Sequence, residues 1–224
     1  KTYIDKTIAF HEEEVHKDKP FFSYIAFQAI HTPIQAPKEF VEPYMDTYKD
    51  GWHKLREKRF EKAKEMGIIP GNAKLTDIFP DFKKWDDLSP KEQKSYVTTM
   101  AVTAGMIEAM DYHIGRYLDY LTQEGLTENT IFIITSDNGP DGAEYRTGLP
   151  WAYSHGYHRD FEEKGGKNFF GYLGPEIANA LSSPFSYFKY YTGEGGLRVP
   201  LIIQGSMLPR KMKTNEFCFF TDIA

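Results

Sequence analysis

Residues 129–139 read NTIFIITSDNG, and this stretch decides the fold class. The segment Ile131–Thr135 is entirely β-branched or aromatic, which is typical of a strand buried on both faces of a largely parallel sheet. The strand is followed by Asp137, Asn138 and Gly139. In open α/β sheets the ligand crevice lies beyond the carboxyl ends of the strands, where side-chain oxygens can bind a hard cation. An ordinary turn is the alternative, because Asp-Asn-Gly suits turns on its own.

A second apolar strand is predicted at Phe21–Phe27. The loop after it carries His31, and Pro33 and Pro37 hold this loop extended. If the two strands are neighbours in a parallel sheet, His31 and Asp137 face the same crevice. The fold class that follows is α/β, with a mostly parallel or mixed central sheet flanked by helices.

Helical periodicity predicts the layers that flank this sheet. The clearest helix begins at Ser89-Pro90-Lys91-Glu92, a capping box with proline at the first helical position, and Gly125 fits its end. This helix returns the chain to the strand at Ile131, as in a right-handed crossover. Asp111 and His113 on it are interpreted as structural. Weaker helical patterns cover Thr2–His16, Glu39–Tyr48 and Trp52–Met66.

The last quarter of the chain carries a candidate cation, Lys189, ahead of a glycine-rich run and an apolar strand at Leu201–Ile203. The lysine points either into the crevice or, as surface lysines do, into solvent. His155 and His158 are weak candidates for a metal site, because no Cys or Glu partner has zinc spacing. A short strand is predicted at Phe217–Phe220, with its cysteine as inert packing.

Composition narrows the class of protein. The 224 residues suffice for a single α/β piece spanning 1–224, and 41% apolar residues indicate an ordered chain. A net charge of −5 does not indicate the basic surface with which proteins bind nucleic acids. No apolar run reaches the length of a transmembrane segment. The single cysteine, Cys218, excludes an intrachain disulfide. Oligomeric state is not determined by these features.

Three motifs together resemble the sulfatase family, with bacterial arylsulfatases the most similar. They are Phe21–Pro37, Ser136–Gly139, and Lys189 followed by Glu194–Pro200. The resemblance implies an alkaline-phosphatase-like α/β fold and hydrolysis of sulfate monoesters, carried by small molecules or sulfated glycans. It also implies a periplasmic or secreted bacterial protein.

The same resemblance implies roles for four residues. Asp137 and Asn138 would be ligands of one divalent ion, usually calcium, with magnesium as the alternative. His31 and Lys189 would contact the sulfate and the bridging oxygen of the leaving group. A cation, an ammonium and an imidazole are suited to neutralising the charge that develops as the S–O bond breaks. Oxygen ligands also match a hard cation.

One feature of the family is missing from the sequence. The family's nucleophile is a formylglycine made from a Cys/Ser-x-Pro-x-Arg motif, whereas Cys218 is followed by Phe-Phe-Thr. We therefore expect the nucleophile and further metal ligands upstream of this chain, which alone should be inactive. The alternatives are a phosphodiesterase or phosphonate monoester hydrolase of the same superfamily, or a non-catalytic binding homologue. The organic part of the substrate is not determined by the sequence.

Overall fold

The computed structural model describes residues 1–14, 19–208, 212–214 and 216–223, without the side chain of Glu14. Helices dominate this part of the chain, and short 3₁₀ turns connect several of them. The helices are α1 (Thr2–Glu14), α2 (Lys38–Val41), α3 (Trp52–Glu65), α4 (Pro90–Gln123), α5 (Leu149–Ser154), α6 (Pro175–Ser182) and α7 (Glu194–Leu197). The strands are β1 (Phe132–Thr135) and β2 (Leu201–Gln204).

Helices α1, α2 and α3 contact the 34-residue helix α4. Its predicted capping box is confirmed, because Ser89 Oγ accepts from the Glu92 amide at 3.3 Å and Glu92 Oε2 accepts from the Ser89 amide at 3.0 Å. Its predicted end is also confirmed. Gly125 has φ +70°, and the Leu126 amide reaches back to the Leu121 carbonyl at 2.8 Å, as in a Schellman motif.

The core lies in two clusters along α4. The larger cluster joins α4 to α3, α6 and the loop after His31, and consists of Ile34, Trp52, Met100, Val102, Met106, Leu173, Ile177 and Ala180. The smaller cluster joins α4 to α1 and consists of Ile4, Tyr117 and Leu121. The two helices are also tied by polar contacts, since Arg116 pairs with Asp5 at 2.9 Å and contacts His113 at 3.1 Å. The structural interpretation of His113 therefore agrees with these contacts.

The observed sheet differs from the predicted parallel sheet. In the described part of the chain the only sheet has two strands, and β1 and β2 run antiparallel, with Phe132 opposite Gln204 and Thr135 opposite Leu201. The expected burial of β1 on both faces is also wrong, because Ile133 and Ile134 are exposed. The exposure of β1 has a physical cause, because two strands alone leave the sheet faces without covering layers.

The segment Phe21–Phe27 has the alternating exposure of an extended backbone but pairs with no strand in the described chain. Its side chains alternate, with Phe21, Ile25 and Phe27 packed on the smaller cluster, whereas Phe22 and Tyr24 are 89% and 83% exposed. The prediction of an apolar strand is therefore right about the extended backbone and wrong about pairing. Helices α1 and α4 cover only one side of it.

Two further predicted elements differ from the structure, and one predicted boundary is not covered by it. The helical pattern at Glu39–Tyr48 is only α2 followed by a 3₁₀ turn at Glu42–Tyr44, because Pro43 cannot donate a helical hydrogen bond. The predicted end of the first helix at His16 lies outside the described residues. No strand forms at Phe217–Phe220, and Cys218 is exposed rather than packed. The helix at Trp52–Met66 is confirmed as α3.

Candidate active site

Backbone contacts join the loop after β1 to the segment before β2. The Gly139 amide donates to the Gly196 carbonyl at 2.8 Å, and the Lys189 amide donates to the Pro140 carbonyl at 2.9 Å. A Cβ atom on Gly139 would lie 1.9 Å from the Gly195 carbonyl oxygen, so the two backbones touch without room for a side chain. The antiparallel pairing of β1 with β2 holds both loops at the same end of the sheet.

A buried carboxylate, Asp141, stands at this junction, and sequence reasoning missed it. Its side chain is 7% exposed. Its Oδ1 accepts from the Ala143 amide at 2.9 Å, and its Oδ2 accepts from the Tyr145 hydroxyl. The sequence around it, Pro-Asp-Gly, is that of an ordinary turn, and the hydrogen bond to the amide two residues on is an ordinary Asx turn. No local pattern distinguishes this aspartate from a surface turn residue.

His31 and Lys189 meet at Asp141, although they are far apart in the sequence. The Asp141 Oδ2 atom lies 3.8 Å from His31 Nε2 and 3.9 Å from Lys189 Nζ. The lysine side chain is 21% exposed, so it does not extend freely into solvent. The predicted convergence of His31 and Lys189 is therefore found, but the carboxylate between them is Asp141 and not Asp137.

Two tyrosines lie next to Asp141 and Lys189. The hydroxyl of Tyr145 lies 3.3 Å from that of Tyr190, and Lys189 Nζ lies 5.5 Å from the centre of the Tyr190 ring. Burial, followed by the hydrogen bond to Asp141, raises the pKa of the Tyr145 hydroxyl. Tyr145 therefore stays protonated and remains a hydrogen-bond donor to the carboxylate at neutral pH.

Asp137 and Asn138 follow β1 directly, where the sequence places them. Asp137 is exposed, and no hydrogen bond or ion pair within the described residues engages its carboxylate. Asn138 is half-buried and donates its amide to the Gly139 carbonyl at 2.7 Å, which leaves its oxygen as the free acceptor. Carboxylate and carboxamide oxygens are the ligand type that calcium takes. These two residues therefore fit as part of a calcium site.

The described residues do not complete such a site. Among them, no group of three or more His, Cys, Asp or Glu side chains is arranged to hold a metal ion. Two ligands fall short of the 6–8 oxygens that calcium prefers. His155 and His158 are instead engaged by carbonyl oxygens, of Trp151 at 2.8 Å and of Lys167 at 3.1 Å respectively.

The arrangement is that of an α/β domain with two basic side chains and two hard-ligand oxygens at loops that meet beside a short sheet. The sulfatase family model matches residues 1–224, and the chain belongs to the sulfatase family. The helix-rich structure with its small antiparallel sheet fits an α/β sulfatase domain. None of the helices in the described ranges combines the length and apolar character that a membrane span requires.

Two curated relatives illustrate the similarity. An uncharacterised sulfatase of Schizosaccharomyces pombe is 34% identical over 215 residues, which is 92% of this chain and 38% of that protein. An arylsulfatase of Klebsiella aerogenes is 32% identical over 200 residues, which is 88% of this chain and 43% of that protein. The chain thus spans about two fifths of the length of these relatives.

Solved structures give a weaker likeness. The crystal structure of Ps i-CgsB in complex with k-i-k-neocarrahexaose superposes with a TM-score of 0.44 at 21% identity. The superposition covers 92% of this chain and 28% of that one.

Proposed function

We propose that the full-length protein carrying this chain hydrolyses sulfate monoesters, and that His31 and Lys189 contact the sulfate group. One observation supports this proposal most strongly. The His31 imidazole and the Lys189 ammonium lie within 4 Å of the same Asp141 oxygen, at 3.8 and 3.9 Å. Two basic groups gathered at one point from distant loops are suited to binding an anion. Membership of the sulfatase family supports sulfate as that anion.

The chemistry of sulfate ester cleavage accounts for both side chains. As the S–O bond breaks, negative charge develops on the bridging oxygen of the leaving group. The Lys189 ammonium stabilises that charge, and a protonated His31 donates a proton to the leaving oxygen. His31 Nδ1 lies 2.8 Å from the Thr32 carbonyl oxygen, which can only accept. Nδ1 therefore carries a proton that it donates to this carbonyl, and Nε2 is the nitrogen directed towards the site.

Asp137 and Asn138 would hold a divalent cation beside this pair, with calcium preferred and magnesium as the alternative. When bound, such an ion would withdraw charge from a sulfate oxygen. The remaining ligands and the formylglycine nucleophile are proposed to lie outside residues 1–224, because these contain no Cys/Ser-x-Pro-x-Arg motif. The role of the chain's own residues is then to bind, orient and protonate the ester.

The substrate class remains a sulfate ester, borne by a small molecule or a sulfated glycan. An aryl sulfate is the first probe because the relative from Klebsiella aerogenes is an arylsulfatase. Location in the periplasm or outside a bacterial cell rests on the family resemblance and stays a prediction, as does the extent of the domain at residues 1–224.

The test compares full-length wild-type protein with His31→Ala and Lys189→Ala on an aryl sulfate that releases a coloured phenolate. Each substitution should lower kcat by at least ~10²-fold, as expected when stabilisation of transition-state charge is lost. His155→Ala and Lys167→Ala are matched controls, because both side chains are exposed and lie outside the site. They should retain wild-type rates.

Parallel assays separate the alternatives. A phosphate diester or an aryl phosphonate hydrolysed faster than the aryl sulfate would replace the proposal with a phosphodiesterase or phosphonate hydrolase. Binding of inorganic sulfate without turnover of any ester would indicate a non-catalytic binding homologue. The 224-residue chain by itself should not turn over the aryl sulfate, because it lacks the motif that gives the nucleophile.

A further inference from the structure

Asp141 is a buried carboxylate to which the proposed chemistry assigns no role. Both of its oxygens are held by its own loop, Oδ1 by the Ala143 amide at 2.9 Å and Oδ2 by the Tyr145 hydroxyl. The loop is itself packed closely, since a Cβ on Gly142 would lie 2.3 Å from the Phe188 ring. The carboxylate is therefore a fixed negative charge, and its position does not depend on His31 or Lys189.

The contacts from Asp141 to the two basic groups are of a different kind. At 3.8 and 3.9 Å, the distances to His31 Nε2 and Lys189 Nζ exceed the length of a direct hydrogen bond. The attraction is therefore between charges, and it is strengthened by the low exposure of the carboxylate. Because no hydrogen bond to Asp141 engages them, Nε2 and Nζ remain available to a bound anion.

We propose that Asp141 is a positioning residue of this site, which holds the Lys189 ammonium and the His31 imidazole towards one point. The inference rests on the proposed function, because it concerns the same two side chains. Without the carboxylate, no counter-charge holds the Lys189 ammonium beside the His31 imidazole. With it, the two basic side chains stay together before the substrate arrives, and the sulfate does not have to assemble them.

His31 is held from both sides in this arrangement. The Thr32 carbonyl oxygen fixes Nδ1 at 2.8 Å, and the Asp141 carboxylate faces Nε2. Side chains whose orientation is set in advance lose little freedom on binding, which favours the reactive geometry. Asp141 acts only through His31 and Lys189.

The inference predicts a split between kcat and KM. Asp141→Asn in the full-length protein keeps the size of the side chain and an acceptor for the Ala143 amide, but removes the charge. We expect kcat on an aryl sulfate to fall at least ~10-fold, because the His31 and Lys189 side chains are no longer oriented. KM should stay the same or decrease, because a negative charge near the anionic substrate has been removed. A local folding defect would instead raise KM.

Asp160→Asn is the matched control. Asp160 makes the same kind of turn as Asp141, since its Oδ1 accepts from the Glu162 amide two residues on, at 3.1 Å. It is exposed and lies in no ion pair with His31 or Lys189. Equal effects of Asp141→Asn and Asp160→Asn would overturn the inference.

A double-mutant cycle tests whether Asp141 acts through Lys189. In a Lys189→Ala background, Asp141→Asn should lower kcat much less than it does in the wild type, because the group to be positioned is already gone. Losses that multiply would show that the two residues act independently, and the inference would fall. Tyr145→Phe is a second variant should Asp141→Asn fold poorly. It removes only the hydroxyl donor to Oδ2, and kcat should fall about 3- to 10-fold, the cost of one hydrogen bond; an unchanged kcat would count against the positioning role.

A readout without turnover separates this inference from the proposed function. The ¹⁵N resonance of His31 Nε2 in the labelled full-length protein should move on Asp141→Asn and stay in place on Asp160→Asn. If no sulfate ester is hydrolysed by the wild type, the proposed function fails and this resonance alone decides the positioning role. An Nε2 resonance unchanged by Asp141→Asn would overturn it.

Discussion

The contact between Gly139 and Gly195 supports the sharpest prediction, namely that Gly139→Ala disrupts the site by forcing apart the two loops that form it. The added Cβ would lie 1.9 Å from the Gly195 carbonyl oxygen and 3.1 Å from the Gly196 Cα. Ordinary contacts between such atoms begin at about 3.5 Å, so the two loops must separate by more than about 1 Å. The neighbouring atoms are backbone and cannot rotate away.

The expected magnitude has two parts. Overpacking costs about 1–3 kcal/mol, and loss of the 2.8 Å hydrogen bond from Gly139 to the Gly196 carbonyl costs about 1 kcal/mol more. The free energy of unfolding should therefore decrease by about 2–4 kcal/mol. The next residue, Pro140, accepts from the Lys189 amide, so the separation also moves Lys189 relative to Asp141. A displacement of about 1 Å should lower kcat by about 10²-fold.

Both quantities are measured in the full-length protein, by denaturant unfolding and by release of a coloured phenolate. Gly148→Ala is the control, because a Cβ there meets nothing within 4 Å and its φ of −84° accepts alanine. Wild-type stability and kcat in Gly139→Ala, matching Gly148→Ala, would refute the close approach of the two loops and the positioning of Lys189 that depends on it.

Two further predictions concern the helices. Gly115→Ala in α4 should raise the free energy of unfolding by about 0.5–1 kcal/mol, because its Cβ meets nothing within 4 Å; Gly105→Ala in the same helix should lower it, because its Cβ would lie 2.8 Å from the Phe40 carbonyl oxygen. Equal effects at the two positions in denaturant unfolding would contradict this packing of α2 on α4. Burial lowers the pKa of His11, so the unfolded chain takes up a proton first as the pH falls. The contribution of neutral His11 to stability should be complete above about pH 6.5 and be lost below it. In urea unfolding, the free energy of unfolding should therefore decrease less between pH 7.5 and pH 5.5 for His11→Gln than for wild type.

Much of the local structure could be predicted from the sequence because its causes are local. The capping box at Ser89, the left-handed Gly125 and the apolar period between them determine where α4 begins and ends. Apolar runs likewise placed β1 and β2 to within a residue or so. The three motifs that carry the family resemblance are equally local, and they pointed to His31 and Lys189.

The direction and burial of the strands depended on tertiary structure. An unbroken apolar run predicts a covered strand, but covering is supplied by other segments, and β1 has one partner, antiparallel, in the described chain. Phe22 and Tyr24 show the same limit, since they read as core residues and face solvent. A sequence records that a side chain is apolar and cannot record which surface lies against it.

The candidate site could likewise be predicted only in part from the sequence. Residue types suited to anion and cation binding can be recognised from the sequence, and the family resemblance made Asp137, Asn138, His31 and Lys189 the candidates. Asp141 could not be recognised from the sequence, because an aspartate in a turn looks the same whether its carboxylate faces water or the His31 and Lys189 side chains. Only the tertiary structure brings loops from three parts of the chain to that carboxylate, and the electrostatic contact exists only once they meet.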